Sequence, residues 1–204
     1  IGEVGINGDP LTKNEIKSLQ ASARASRVTG AAISLHRGGV GSEKLQTIKI
    51  LKEEGVDLSR VIFGHSDGIA WDMPLMLEML SHGIYIQFDM LGMDSTPIFL
   101  HPKSHSLQHI TGLALTPQVV EAIPKLILEG YEDRILLSQD VYTKMQLKRY
   151  GGNGYSFVLE YILPELKKRG VTEEQSHKLM VDNPASVLTL VEPEEGHVAF
   201  KRFS

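Results

Sequence analysis

Short β-branched apolar runs alternate along this chain with longer stretches in which apolar residues recur every three or four positions. The first pattern is that of buried strands and the second that of amphipathic helices. Together they predict strands over 3–6, 31–35, 61–64, 84–88 and 134–138, with helices around 13–27, 42–54, 72–81 and 117–129. Each of these helices ends near a glycine, at Gly30, Gly55, Gly83 and Gly130, where a residue without Cβ can close the last turn. Strand followed by helix, repeated, is the signature of βα units and a parallel sheet.

Beyond the fifth strand the order changes. A glycine-rich stretch, Tyr150-Gly151-Gly152-Asn153-Gly154-Tyr155, precedes predicted helices over 156–169 and 172–181 and a last one opening at Asn183-Pro184. Thr172-Glu173-Glu174-Gln175 has the Thr-x-x-Gln form of a capping box. The stretch 93–115 carries His101, His105 and His109 but no clear period, and reads as a long loop over one face. From Glu192 the chain turns acidic and then basic, the composition of a loose tail. No internal repeat beyond the βα unit and no linker divides the chain, so 1–204 is read as one domain.

Composition narrows the chemistry. Lys plus Arg number 21 against 25 for Asp plus Glu, a formal net charge of -4, so no bulk positive field exists to hold nucleic acid. There is no cysteine, which removes disulfides, thiolate nucleophiles and Cys-ligated metal together. Any metal must then sit on His and carboxylate. No apolar run approaches the ~20 residues of a membrane span, and the expectation is a soluble, cytoplasmic protein with no membrane partner.

In a (β/α)₈ barrel or an open α/β sheet, chemistry collects at the C-terminal ends of the strands. Here the second strand runs into His36, the third into His65, the fourth into Asp89 and the fifth into Asp140, while Glu3 lies inside the first. Burying an imidazole or carboxylate costs several kcal/mol unless a partner or a metal compensates. His36, His65 and Asp140 on successive βα units therefore make a candidate metal site, with zinc the best match and manganese or iron as alternatives. Taken singly, each has the milder reading of a hydrogen-bonded loop residue. The glycine-rich stretch could cradle a phosphate, but it lacks the Lys-Ser/Thr of a P-loop. Ser34 and Ser138 lack a Gly-x-Ser-x-Gly elbow, and Met73, Met76 and Met79 at helical spacing read as core.

In order and spacing, the segments Ile33-Ser34-Leu35-His36, Val61-Ile62-Phe63-Gly64-His65-Ser66-Asp67, Gln87-Phe88-Asp89 and Ile135-Leu136-Leu137-Ser138-Gln139-Asp140 resemble the phosphotriesterase-like branch of the amidohydrolase superfamily. The stretch Lys148-Arg149-Tyr150-Gly151-Gly152-Asn153-Gly154-Tyr155 is similar to the corresponding loop, and the likeness runs to about Leu190. The resemblance implies a (β/α)₈ TIM barrel of the metal-dependent hydrolase type, α/β in class. It also implies two divalent metal ions, most simply zinc, with manganese, iron or cobalt as alternatives. Glu3 then stands at the metal-bridging position, His36 and His65 at the two histidines of the second metal, and Asp140 at the aspartate that binds the first metal and handles the proton of the bridging hydroxide.

Two departures qualify this. The family holds its other metal with a His-x-His at the end of its first strand, and no His-x-His occurs here. The five strands are then strands four to eight of an incomplete barrel, and the start at Ile1, with neither Met nor signal peptide, fits a chain entered mid-fold. The second departure is Met90, directly after Asp89, where true phosphotriesterases carry a relay histidine. A thioether cannot relay protons, which favours a carboxylic ester, lactone or amide over a phosphoester. The expectation is a metal-dependent hydrolase acting on a small molecule. The alternative is a non-catalytic partial barrel whose exposed strand edges make it self-associate, as a homodimer, or bind a partner.

Overall fold

The computed structural model describes residues 1–36, 43–93 and 116–194. Five strands, β1 (Val4–Gly5), β2 (Ile33–His36), β3 (Val61–Phe63), β4 (Tyr85–Phe88) and β5 (Ile135–Leu137), form one sheet in the order β1-β2-β3-β4-β5. All four pairings are parallel, with Val4 opposite Leu35, Ile33 opposite Val61, Ile62 opposite Tyr85 and Ile86 opposite Ile135. An order that never reverses has consequences. Right-handed crossovers then all return on the same side, so the helices cover one face and the sheet winds one way, as in a barrel wall.

The side chains divide accordingly. Ile33, Leu35, Val61, Phe63, Ile84, Ile86, Phe88 and Ile135 point into one core shared with Leu19 and Ala23 of α1 (Lys13–Thr29), Ile48 and Leu51 of α2 (Glu43–Glu53), Met76 and Met79 of α3 (Met73–Ser81) and Val119 and Ile123 of α4 (Thr116–Leu128). The alternate residues Ile62, Tyr85 and Leu136 form a second, small cluster with Ala32 and Val187. The three methionines read as core divide the same way, Met76 and Met79 fully buried and Met73 packed at the margin.

Local signals set the helix ends. Thr12 caps α1 in a capping box with Glu15, whose carboxylate also accepts from the backbone of Asn7 and Gly8 and so binds the β1–α1 loop to the helix. Gly30 closes α1 at φ 68°, and its carbonyl accepts from Val191. Below the sheet the buried Arg60 donates to the carbonyls of Ser186, Gly30 and Thr189, joining the ends of α1 and of α7 (Asn183–Leu188). This satisfies carbonyls that helix ends leave orphaned.

Two expectations change. The helices predicted over 172–181 and from Asn183 are one helical path, running through α6 (Glu173–His177), a widened π turn (Lys178–Asp182) and α7. The same device precedes α5 (Leu163–Lys168), where a π turn spans Val158–Ile162. In both, a proline sits at the second residue after the widened turn, Pro164 and Pro184, and the wider turn makes room for a ring that would otherwise strike the carbonyl four residues back. The tail expected to be loose from Glu192 begins instead as an anchored segment: Glu194 donates its N–H to the Arg27 carbonyl and its carboxylate pairs with the Arg27 guanidinium at 2.6 Å. His101, His105 and His109 and the tail beyond 194 lie outside the described residues.

A Cβ on Gly30 would stand 1.7 Å from the Val191 carbonyl, whereas one on Gly83, also at positive φ, would meet nothing within 4 Å. Gly83→Ala is expected to cost only the ~1–2 kcal/mol of left-handed strain, and Gly30→Ala at least ~2 kcal/mol more because a backbone segment must move. Urea unfolding of the two variants checks the difference, and equal costs would contradict the close packing of the 191 carbonyl.

Candidate metal centre

The C-terminal ends of β2, β3 and β4 converge, and the backbone there is shaped for the purpose. Gly64 donates to the Leu35 carbonyl at 3.0 Å and is so close to β2 that a Cβ would lie 2.7 Å from that oxygen. The chain then turns through His65 at φ 50°. Asp140, beyond β5, has φ 42°. Among the described residues these are the two non-glycine residues at positive φ, and both are candidate site residues. Such conformations cost of order 1–3 kcal/mol each and persist where surrounding contacts enforce them.

Those contacts centre on Asp89, the first residue after β4. Its carboxylate accepts from the His65 backbone N–H at 3.0 and 3.1 Å and lies 2.7 Å from the His65 Nδ1. Its Oδ2 also accepts from the Gln87 amide at 2.6 Å. Asp67, fully buried in the turn after β3, accepts in turn from the backbone N–H groups of Asp89 and Met90 at 3.0 and 3.3 Å. His65 is thereby fixed with Nδ1 engaged and Nε2 as the available ring nitrogen. Its side chain is only 8% exposed.

Glu3, His36 and His65 each place one ligand atom within 4.8 Å of the others. The His36 Nε2 stands 3.9 Å from the Glu3 Oε2, and the two imidazoles meet edge to face at 4.7 Å. Glu3 lies one residue before β1 rather than inside it, because strand pairing begins at Val4. Asp140 stands outside this tight trio but within its field. Its half-buried carboxyl is pushed above the ordinary aspartate value, first by burial and then by the Asp89 and Glu3 charges, against the pull of His65 and His36. Burial alone would depress the His65 imidazole, but the Asp89 bond and the charges of Asp89, Asp140 and Glu3 outweigh it, and the ring titrates above its usual value.

Gln87 was not singled out from the sequence, although it is the polar residue of β4 and period two sets it on the same side as Asp89. The phosphate-cradle reading of the glycine-rich loop is overturned. The N–H groups of Gly151, Gly152 and Gly154 donate to the carbonyls of Lys148, Leu147 and Gln146, so they are turned inward and spent on the loop itself.

The phosphotriesterase family model matches residues 1–188. This chain belongs to that family. Among its relatives, the N-acetyltaurine hydrolase of Dictyostelium discoideum is 41% identical over 191 residues, which cover 94% of this chain and 50% of that protein. The phosphotriesterase-related protein of Nematostella vectensis is 38% identical, across 93% of this chain and 52% of its own length. Among solved structures, the resiniferatoxin-binding protein of Rhodobacter sphaeroides superposes with a TM-score of 0.82 at 36% identity, covering 95% of this chain and 52% of that one. The phosphotriesterase homology protein of Escherichia coli, complexed with phosphate in its active site, gives 0.79 at 28% identity, covering 93% and 59%. The chain spans about half the length of the relatives it matches. Its parallel sheet is thus an arc of the phosphotriesterase-type (β/α)₈ barrel, as the family resemblance implied.

Burial and then the Asp89 charge push the Asp67 carboxyl up to about 7, against the backbone N–H groups that pull it down. An unfolded aspartate titrates near ~3.9. The folded chain therefore holds this proton more tightly, a contribution complete below ~4 and lost as pH rises through about 7. Asp67→Asn, which carries no charge, should match the native chain near pH 4 and exceed it in stability at pH 8 when both are free of metal. Urea midpoints across that range check it, and parallel pH profiles would count against the raised carboxyl.

Proposed function

We propose that this chain carries the greater part of the active centre of a metal-dependent hydrolase that cleaves a small carboxylic amide, with esters and lactones as related substrates. The observation that carries the reading is the convergence of the Glu3 carboxylate and the His36 and His65 imidazoles within 4.8 Å, with His65 oriented by a buried carboxylate. This donor set fits a divalent cation. Neutral imidazole and carboxylate suit zinc, with manganese, iron or cobalt as alternatives, and a ligating histidine whose other nitrogen bonds a carboxylate is the usual arrangement around such ions. Glu3, His36, His65 and Asp140 are the residues that would hold two such ions. When bound, the metal supplies Lewis acidity and lowers the pKa of water.

The chain's own residues divide the remaining work. Asp140, its affinity for protons raised by burial, takes the proton of the attacking water as the oxygen bonds the carbonyl carbon. It returns that proton to the nitrogen as the carbon–nitrogen bond breaks. Asp89 keeps His65 in one tautomer and one orientation, and Gln87 and Asp67 keep Asp89 in place. Met90 directs its backbone N–H to Asp67, and its thioether offers no proton path, which is why a phosphoester is not the favoured substrate. The relatives named N-acetyltaurine hydrolase support an amide. Their length supports three further βα units that close the barrel and complete the metal site, a reading in which 1–204 is one incomplete barrel domain, cytoplasmic and acting on a small molecule.

A second reading rests on the sheet edges. Among the described residues β1 and β5 each pair on one side only, which suits a non-catalytic module that covers them by self-association. Metal content and size separate the two. The 204-residue chain purified without chelator should hold about one zinc or manganese ion per chain, lost on His36→Ala or His65→Ala. A metal-free dimer would instead support the module. Asp89→Ala should lower zinc affinity about 10–100-fold in a chelator competition.

Two further outcomes follow from the same residues. Because His65 binds its proton more tightly than a free imidazole and a metal needs the neutral ring, zinc should be released on acidification, with retention falling as pH drops through the His65 range. In the assembled enzyme Asp140→Asn should lower kcat about 10²–10⁴-fold without changing the thermal midpoint by more than a few degrees. A near-native kcat would remove Asp140 from the proton path.

A further inference from the structure

Asp140 takes the proton in the hydrolase reading, so the direction of its carboxyl matters, and the backbone that sets this direction is strained. Ser138 still donates to the Phe88 carbonyl at 2.9 Å, and two residues later the chain stands at φ 42°. An aspartate tolerates that backbone best when its own carboxyl bonds a neighbouring backbone group. Here the carboxyl lies instead in the field of His65, Asp89, Glu3 and His36. Another side chain must hold the turn.

Gln146 is placed to do so. It is 6% exposed, so its amide has to be satisfied from within the protein. Its Nε2 donates to the Asp140 carbonyl at 2.8 Å. Its Oε1 accepts from the backbone N–H groups of Tyr142 and Thr143 at 3.0 and 2.7 Å, and from the Thr143 hydroxyl at 2.9 Å. Capping the short turn over Lys144–Gln146 needs only the oxygen. The nitrogen reaches back six residues and fixes the peptide group that leaves Asp140.

The glycine-rich stretch is the seat of this glutamine. Gly154 donates to the Gln146 carbonyl at 2.7 Å. Gly152 approaches so closely that a Cβ there would stand 2.2 Å from the Gln146 carbonyl carbon and 2.3 Å from its oxygen. Two amides moor the loop: Asn153 donates to the Gly92 carbonyl beyond β4 at 2.6 Å, and Gln139 donates to the Tyr155 carbonyl at 2.8 Å. The Lys144 ammonium and the Arg149 guanidinium stand 4.5 and 5.9 Å from the centre of the Tyr150 ring, which ties the Lys144–Gln146 turn to the one after it. Glycine is needed at 152 because a side chain would push Gln146 away from Asp140.

We propose that Gln146 is a positioning residue for Asp140: seated against Gly152 and Gly154, it holds the Asp140 peptide in its left-handed turn and so sets the direction of the carboxyl. The inference rests on the hydrolase reading for the use made of that direction, but not for the geometry itself.

Three variants test it. Q146E separates the two ends of the amide, since an ionised carboxylate keeps the bonds from Tyr142 and Thr143 but cannot donate to the Asp140 carbonyl. G152A displaces Gln146 from outside without altering it, and it alone decides if Q146E fails to fold. G151A is the control: Gly151 has φ 91° and a Cβ there meets nothing within 4 Å, so the change strains the loop without pressing on Gln146. In the 204-residue chain at pH 8, the carbon-13 backbone NMR shifts of Asp140, which report its left-handed conformation, should move in Q146E and G152A and keep their native values in G151A. In the assembled enzyme at saturating zinc, Q146E and G152A should lower kcat about 10–100-fold with KM within about twofold, while G151A stays within about twofold in both. Native Asp140 shifts in Q146E or G152A, an equal displacement in G151A, or a loss carried by KM rather than kcat would each overturn the proposal. A native enzyme without turnover would remove the hydrolase reading alone, and the Asp140 shifts would then decide whether Gln146 holds the turn.

Discussion

The carboxylate of Asp89 is the point on which the candidate centre depends. It joins the end of β4 to the turn after β3 by three contacts to His65 and one to Gln87, in a place almost closed to water. In such surroundings a bond to a charged acceptor is stronger than at the surface, and its loss leaves a buried charge without partners. The left-handed backbone of His65 is held against its strain by this carboxylate, and its ring is aimed at His36 and Glu3 for the same reason. Asp67 supports the arrangement from below by gripping the Asp89 backbone.

The sheet makes these contacts available. With every strand beside its predecessor, residues at the strand ends follow one another around a rim. Helices packed on one face supply the apolar core, and the opposite face is left with the smaller cluster of Ile62, Tyr85 and Leu136. Stability is drawn from the helical side and from the Arg60 link below the sheet, far from the chemistry. Strained and charged residues gather at the other end, the division of labour common to βα barrels.

Much of the fold was legible in the residues because βα units announce themselves locally. Ile33, Leu35, Val61 and Phe63 alternate toward one core, and Thr12 with Glu15 and Thr172 with Gln175 cap helices as their spacing requires. The continuous helical path through Asn183 was not legible, since a proline at the very next position ordinarily ends a helix and the widened turn that admits it leaves no mark in the pattern. Nor was the anchoring of Glu194, because its partner Arg27 lies 167 residues away.

The same boundary runs through the site. Polar residues at the ends of apolar runs marked His36, His65, Asp89 and Asp140, because placing a charge there is costly without a purpose. That Gln87 and Asp67 hold Asp89, that the glycine-rich loop turns its N–H groups inward, and that Lys144 and Arg149 share one tyrosine ring depend on contacts between segments distant in the chain or on the path of the backbone. The sequence by itself determined which elements form and which residues stand at their ends, since propensity, periodicity and capping act over a few residues. Only the tertiary structure decided which of those residues meet and how their charges shift, since distance and burial are properties of the packed chain.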